Sequence, residues 1–238
     1  MTAIALTLVA ALSLGWFLAN TTAPVTSLGD GETWLLTAFL VAVLVWAGIH
    51  PIHIRHRFKV YLTTPSFYLM AVLLPTPVAA VAAAIGIWLI QWLMRAKTGN
   101  LPSDMATAAA RWLIVILVCG SLAHIPASDD LSRIGLLFAT AGVMFLGDML
   151  TCPFEIAPMS GEPYWMVSTA FAREGGAVEA IQYVLGIVGA LLAIEHSWMV
   201  ALLVPLCWVV YRAFKNAKEM HDSTRTLLEG MADAVDLR

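Results

Sequence analysis

Long uncharged apolar stretches alternate along this chain with short clusters of charge, and the clusters set the element boundaries. Met1 to Gly29 carries no charged residue, which fits one membrane-crossing helix at about Ala3–Asn20. A second apolar stretch covers Thr33–His50. Val60–Met94 then runs 35 residues without a charge. As a single helix it would be about 50 Å long, against a hydrocarbon core of about 30 Å. Leu74-Pro75-Thr76-Pro77 stands near its middle. Proline deletes a backbone donor and pushes the residue before it out of the helical region. The pattern therefore predicts a tight hairpin between a short third span, about Val60–Leu74, and a fourth, about Pro77–Met94. The third is short enough to be tilted, met by a thinned bilayer, or partly re-entrant. The fifth span is predicted at about Thr107–Ile125, the sixth at Leu131–Thr151, the seventh at Ala177–Ile194 and the eighth at Ser197–Phe214. Glu195-His196 marks the turn between the last two.

Composition agrees with this pattern. Of 238 residues, 60% are hydrophobic and 12% charged, whereas soluble domains are nearer half apolar and a quarter charged. A soluble fold of this size could not hide so much apolar surface. The expected fold is all-α: a polytopic helical membrane protein with about eight spans over residues 1–214, followed by a C-terminal cytoplasmic helix over 215–238. The formal charge of −3 argues against a nucleic-acid partner, which needs a basic surface; the expected surroundings are the lipid bilayer. Cys119, Cys152 and Cys207 are isolated in apolar stretches and form no C-x-x-C, so free thiols are expected rather than a disulfide frame or zinc site. Trp16, Trp34, Trp92, Trp165 and Trp198 fall near predicted span ends, as interfacial anchors do. The N-terminal stretch lacks a basic flank and a small-residue cleavage site, so it reads as a span rather than a signal peptide.

The cations orient the bundle. In an eight-span arrangement Arg55, Arg57, Lys59, Arg95, Lys97, Arg111, Arg173, Arg212, Lys215, Lys218, Arg225 and Arg238 share the side of the C-terminus, and Arg133 alone lies opposite. The positive-inside rule then puts both termini in the cytoplasm, and the expected location is a bacterial inner membrane.

The tail carries the clearest functional pattern. Ala213, Ala217, Met220, Thr224, Leu227, Met231 and Ala234 recur at alternating intervals of four and three, a heptad seam flanked by Leu228 and Val235. Two readings fit. One is a surface helix packing on whatever follows it. The other is a parallel dimer stalk that carries motion out of the membrane. With nothing after it to cover Leu227, Leu228, Met231 and Val235, a lone helix of this length is marginal in water; the tail reads as the first helix of a larger domain.

Asp222-Ser223-Thr224-Arg225-Thr226-Leu227-Leu228-Glu229-Gly230-Met231-Ala232-Asp233-Ala234-Val235-Asp236-Leu237-Arg238 resembles the opening helix of bacterial HD-GYP phosphohydrolase domains. The preceding Leu73-Leu74-Pro75 hairpin and the Pro205…Tyr211-Arg212 exit resemble membrane input modules that stand ahead of HD-GYP and related signalling outputs. The resemblance implies a homodimeric sensor controlling a metal-dependent cyclic di-GMP phosphodiesterase. Its divalent metal would belong to the output domain, with no cofactor in the residues present. His221-Asp222 spells the family's dipeptide but precedes the opening helix; it reads as a helix entry, with Asp222 as N-cap.

Ionisable residues at membrane depth are costly and mark function by default. Arg111 lies several residues inside the fifth span and Asp148 at a similar depth in the antiparallel sixth. They are expected either to pair as a structural clamp or to reach the interface separately. Glu174, Glu179, Gln182 and Gln91 could ring a cytoplasmic-side pocket, although solvation at the interface accounts for them more simply. His50, His53 and His56 have a spacing that a metal would accept, but Pro51 breaks the helix there and the neighbours are cationic, so a patch for lipid headgroups is the better fit. On the outer side His124, Asp129, Asp130, Glu195 and His196 are candidates for sensing pH or a cation; short polar loops would look the same. No nucleophile–base pair, phosphate loop or nucleotide fingerprint is present. The expected function is sensory and transducing. The rival is a small-solute transporter or its substrate-binding subunit, which the broken hairpin and the inner polar groups would suit.

Overall fold

The computed structural model describes residues 2–20, 30–55, 58–202 and 204–213, together with 215, 216, 219, 220, 223 and 224. Its helices, in chain order, are α1 (Thr2–Asn20), α2 (Asp30–Ile49), α3 (Thr64–Leu73), α4 (Thr76–Thr98), α5 (Pro102–Ala123), α6 (Asp130–Ser160) and α7 (Tyr164–Glu195). A 3-10 turn, Ser197–Leu202, and a helix over 204–213 follow. Among the described residues, five stretches are long and apolar enough to cross a membrane: Gly31–Ile49, Thr76–Thr98, Pro102–Ala123, Asp130–Ala157 and Gly175–Glu195. Among the described residues, one β element interrupts the helical class: an antiparallel ribbon of β1 (Ile52–Arg55) and β2 (Phe58–Val60). It occupies the stretch after Pro51, where α2 has ended.

The segment expected as a third span is shorter than the sequence pattern implies. Val60 pairs in β2, opposite Ile52, and α3 keeps only 10 residues, about 15 Å of rise. Pro65 sits in its first turn, where a missing amide hydrogen costs nothing. At its other end Leu74 turns extended and donates its N–H to the Met70 carbonyl at 3.2 Å. Nearly every α3 residue is buried, and Phe67, Tyr68, Leu69, Met70 and Ala71 have no exposed surface at all. α3 packs against α2, α4, α5, α6 and α7. It is a half-length helix enclosed by full-length ones.

Small residues let the enclosing helices come close. Ala79, Ala80, Ala82, Ala83 and Gly86 of α4 are buried where α4 meets α5 and α2, the small-residue packing that membrane helices use in place of a hydrophobic driving force. Tyr68 fixes α3 in the centre. Its hydroxyl donates to the Leu137 carbonyl at 2.8 Å, and its ring meets the edge of Tyr183 at 6.4 Å between centroids. Gly186 of α7 lies under that ring.

The later helices differ from the expected spans. α6 continues through Pro153 to Ser160, where the sequence predicted an end at Thr151, and α7 begins at Tyr164 rather than Ala177. Pro153 removes one backbone donor, but the carbonyl left over can be met by neighbours inside a membrane bundle, so the helix need not stop there. With 31 and 32 residues, α6 and α7 reach about 47 Å each. The stretch read as an eighth span is divided into the 3-10 turn and the 204–213 helix, with Pro205 in that helix's first turn, where a missing donor is harmless.

A Cβ added at Gly186 would stand 2.8 Å from Cδ1 of Tyr68, and the Tyr68 ring is held at its other end by Leu137. Gly186→Ala is therefore expected to cost about 1–3 kcal/mol through overpacking. Gly142→Ala on α6, where nothing lies within 4 Å, should be neutral or stabilising by about 1 kcal/mol. Thermal unfolding of the two variants in the same detergent checks the contrast.

Candidate functional site

A cavity of about 400 Å³ lies where α2 and α4 end and α3 and α5 begin. Its position follows from local signals. α4 stops at Gly99, whose φ of 70° suits glycine, with its N–H bonded to the Arg95 carbonyl at 2.9 Å. Asn100 then donates to the side chain of Gln91, about two helix turns back inside α4. α5 opens on Pro102, and the Asp104 carboxylate accepts the Leu101 N–H at 3.0 Å. These contacts fix the α4–α5 turn as one wall, with Gln91, Met94, Thr98 and Asn100 lining it.

The second wall is ionic. Arg111 of α5 is almost wholly buried. Its Nη1 donates to Asp148 Oδ1 at 2.6 Å and to Thr151 Oγ1 at 3.1 Å, while its Nε donates to Glu155 Oε1 at 2.7 Å. Thr151 gives its own proton to the Gly147 carbonyl at 2.6 Å, which leaves a lone pair for the guanidinium. Asp148, Thr151, Cys152 and Glu155 follow one another at helical intervals on one face of α6, so a single helix presents the whole acceptor set. One guanidinium thus bridges two carboxylates at membrane depth. Arginine suits this task because its planar fork stays charged and offers donors in fixed directions.

The third wall belongs to α3 and α7. Thr64, in the first turn of α3, donates to Glu179 Oε2 at 2.7 Å. Gln182 Nε2 donates to Glu179 Oε1 at 3.2 Å. Among the described residues no cationic side chain pairs with Glu179. The carbonyl oxygen of Gln182 is buried without a partner. Aromatic side chains complete the lining: Tyr61, Phe67, Trp112 and Phe171, with Phe67 and Trp112 stacked at 3.7 Å and 9°. The cavity therefore holds three carboxylates, one guanidinium already committed to two of them, and an aromatic flank.

Of the residues singled out in the sequence, the structure brings Arg111 and Asp148 into direct contact, and puts Gln91 and Glu179 on the same cavity with Gln182 bonded behind. The side chain of Glu174 lies outside the described residues. Sequence reasoning missed Glu155 and Thr64. The interval of seven between Asp148 and Glu155 was the available signal, but ending the helix at Thr151 hid it.

The outer-side candidates lie at element ends, and among the described residues no hydrogen bond or ion pair joins any two of them. His124 caps α5, with Nδ1 2.7 Å from the Gly120 carbonyl. Asp129 precedes α6 and Asp130 begins it. Hydroxyls of Ser132 and Ser128 donate to the Asp129 carboxylate and hold its pKa below the ordinary value, so its charge persists to lower pH. Glu195 ends α7 and His196 caps it. In the predicted tail seam, Met220 and Thr224 are helical, and the Thr224 hydroxyl donates to the Met220 carbonyl at 2.9 Å. Leu227, Met231 and Ala234 lie outside the described residues, as does His56 of the histidine cluster.

Removing one member of a buried ion cluster leaves its partners uncompensated. Arg111→Leu alone is expected to cost about 3–5 kcal/mol. Arg111→Leu combined with Asp148→Leu and Glu155→Gln should recover much of that loss. The folded fraction after detergent extraction and the thermal midpoint check it; equal losses in the single and triple variants would dismiss the cluster as a clamp. Against known proteins this geometry stands by itself, for no family model, curated protein or solved structure matches the chain.

Proposed function

We propose that the chain is a sensory and transducing membrane module, in which the cavity receives the stimulus and the C-terminal helix carries the response. One observation carries this reading: the cavity and the exit helix share a wall. Gly48 and Tyr61 line the cavity. Their chain neighbours Ala47 and Leu62 are buried together and pack against Trp46, Val210 and Tyr211. Trp46 also meets Trp208 at 6.1 Å between centroids. A ligand that displaces Tyr61 thus presses on a segment already seated against the 204–213 helix. Packed cores switch between discrete arrangements rather than deform smoothly, so a displacement at the cavity can become a shift of the exit helix.

The cation asymmetry, with α3 and α4 counted together as one hairpin, supports both termini in the cytoplasm of a bacterial inner membrane and a cavity that opens toward the cytoplasm. The heptad seam through Met220, Thr224, Leu227, Met231 and Ala234 supports a homodimeric stalk. The likeness of residues 222–238 to the opening HD-GYP helix supports a cyclic di-GMP phosphodiesterase as the output.

A second reading, small-solute transport, is favoured by α3. A half-length helix ending inside a bundle beside a polar cavity is how many transporters build their substrate sites. A transporter, however, has no need of the contact between the cavity wall and the exit helix.

Spin labels at Ser103→Cys and Lys215→Cys, in a background of Cys119→Ala, Cys152→Ala and Cys207→Ala, report the distance from the bundle to the exit helix. Glu179→Gln and Tyr61→Ala are expected to shift that distance by about 1–2 Å, the scale of interface helix shifts, or to broaden its distribution. Identical distributions in both variants would overturn the relay. Accumulation of a radiolabelled solute by proteoliposomes would favour transport.

A further inference from the structure

We propose that the cavity binds a small organic cation, an amine bearing an apolar group, with Glu179 as its counter-charge. The inference rests on the reading of this cavity as the module's ligand site. It follows from what the lining still offers once its internal bonds are counted.

Arg111 is already committed. Its Nη1 and Nε are bound to Asp148 and Glu155, so its charge is already shared by two carboxylates on the same lining. An anion would meet three carboxylates and no uncommitted cation among the described lining residues. Glu179 is different. It lines the cavity and is held by two neutral donors, Thr64 and Gln182, so its formal charge faces the space without a partner cation. A carboxylate in so little water is stabilised by an opposite charge brought to it.

Beside it, the Gln182 carbonyl oxygen is buried and receives no donor. The amide cannot be turned over to satisfy that oxygen, because it would then aim an acceptor at Glu179 instead of a donor. Gln182 stands behind Glu179 and not on the cavity lining, so it fixes the carboxylate and leaves the incoming ammonium to Glu179 itself.

The rest of the lining chooses among cations. Among the described residues no three of His, Cys, Asp and Glu converge as a metal would require. Tyr61, Phe67, Trp112 and Phe171 line the same space. Aromatic faces attract cations through the ring quadrupole and take up apolar substituents at the same time. The volume of about 400 Å³ lies in the range of small-molecule sites. The amine can be a free solute or the amino headgroup of a membrane lipid; the chemistry recognised is the same.

An isosteric series tests the proposal: phenethylammonium, the neutral phenethyl alcohol and the anionic phenylpropionate, titrated calorimetrically into the full chain in phosphatidylglycerol nanodiscs. The amine is expected to saturate a single site, with the alcohol weaker by about tenfold or more and the carboxylate silent. Glu179→Gln should weaken the amine by about tenfold or more. If that variant does not fold, Thr64→Val, which removes the bond that positions the carboxylate, should weaken the amine in the same direction. Phosphatidylethanolamine in the nanodisc that competes with the amine identifies a lipid headgroup as the source; unchanged binding there identifies a free solute. Equal binding of alcohol and amine, binding of the carboxylate, no binding in the series, or an amine affinity untouched by both variants overturns the proposal. Such a failure would leave the label-distance response of the cavity variants standing. Loss of that response would in turn leave amine binding intact, so the two readings fail separately.

Discussion

A helix of ten residues enclosed on all sides has two sets of unpaired backbone groups to satisfy inside the bundle, and the rest of this molecule is arranged around that constraint. In lipid an unmet backbone donor or acceptor costs several kcal/mol. At the far end of α3 the chain reverses through Leu74-Pro75 into α4, with the Leu74 and Ala79 amides bonded to Met70 and Pro75. At the near end the first-turn amides and the positive end of the helix dipole point toward the cavity, the side on which Glu179 accepts the Thr64 hydroxyl. An acidic side chain at that position is thus part of what allows a short helix to end there. The polar cavity and the half-helix are two aspects of one solution.

That solution also ties together elements distant in sequence. α7 supplies Glu179 to the cavity and Gly186 to the face of Tyr68, while α6 supplies the Arg111 acceptors and the carbonyl that receives the Tyr68 hydroxyl. Tyr61 lines the cavity, and its neighbour Leu62 packs toward Val210 and Tyr211 of the 204–213 helix.

Much of the helical layout was legible in the sequence, because lipid admits few alternatives: a charge-free stretch of about 20 residues reads as a helix whatever its neighbours do. Leu74-Pro75-Thr76-Pro77 marked the break between α3 and α4, since two prolines in four residues leave no other local choice. Matching depths on antiparallel neighbours put Arg111 beside Asp148. What local rules did not give were the features that depend on partners. Pro153 looks like a stop when only its own helix is considered, and Glu155 fell into an imagined loop as a result. The shortness of α3 depends on Val60 pairing with Ile52. The link from Leu62 to Tyr211 joins residues far apart in the chain, and hydrophobic side chains carry no signature of which partner they will meet.

The length of α3 bears on how the protein is made. About 15 Å of helix cannot hold itself across a bilayer, so during synthesis this segment has no stable place until α4 has anchored it as half of a hairpin. Its burial against α5, α6 and α7 requires those helices to arrive later. The central piece of the finished bundle therefore reaches its buried position only after helices made later have arrived.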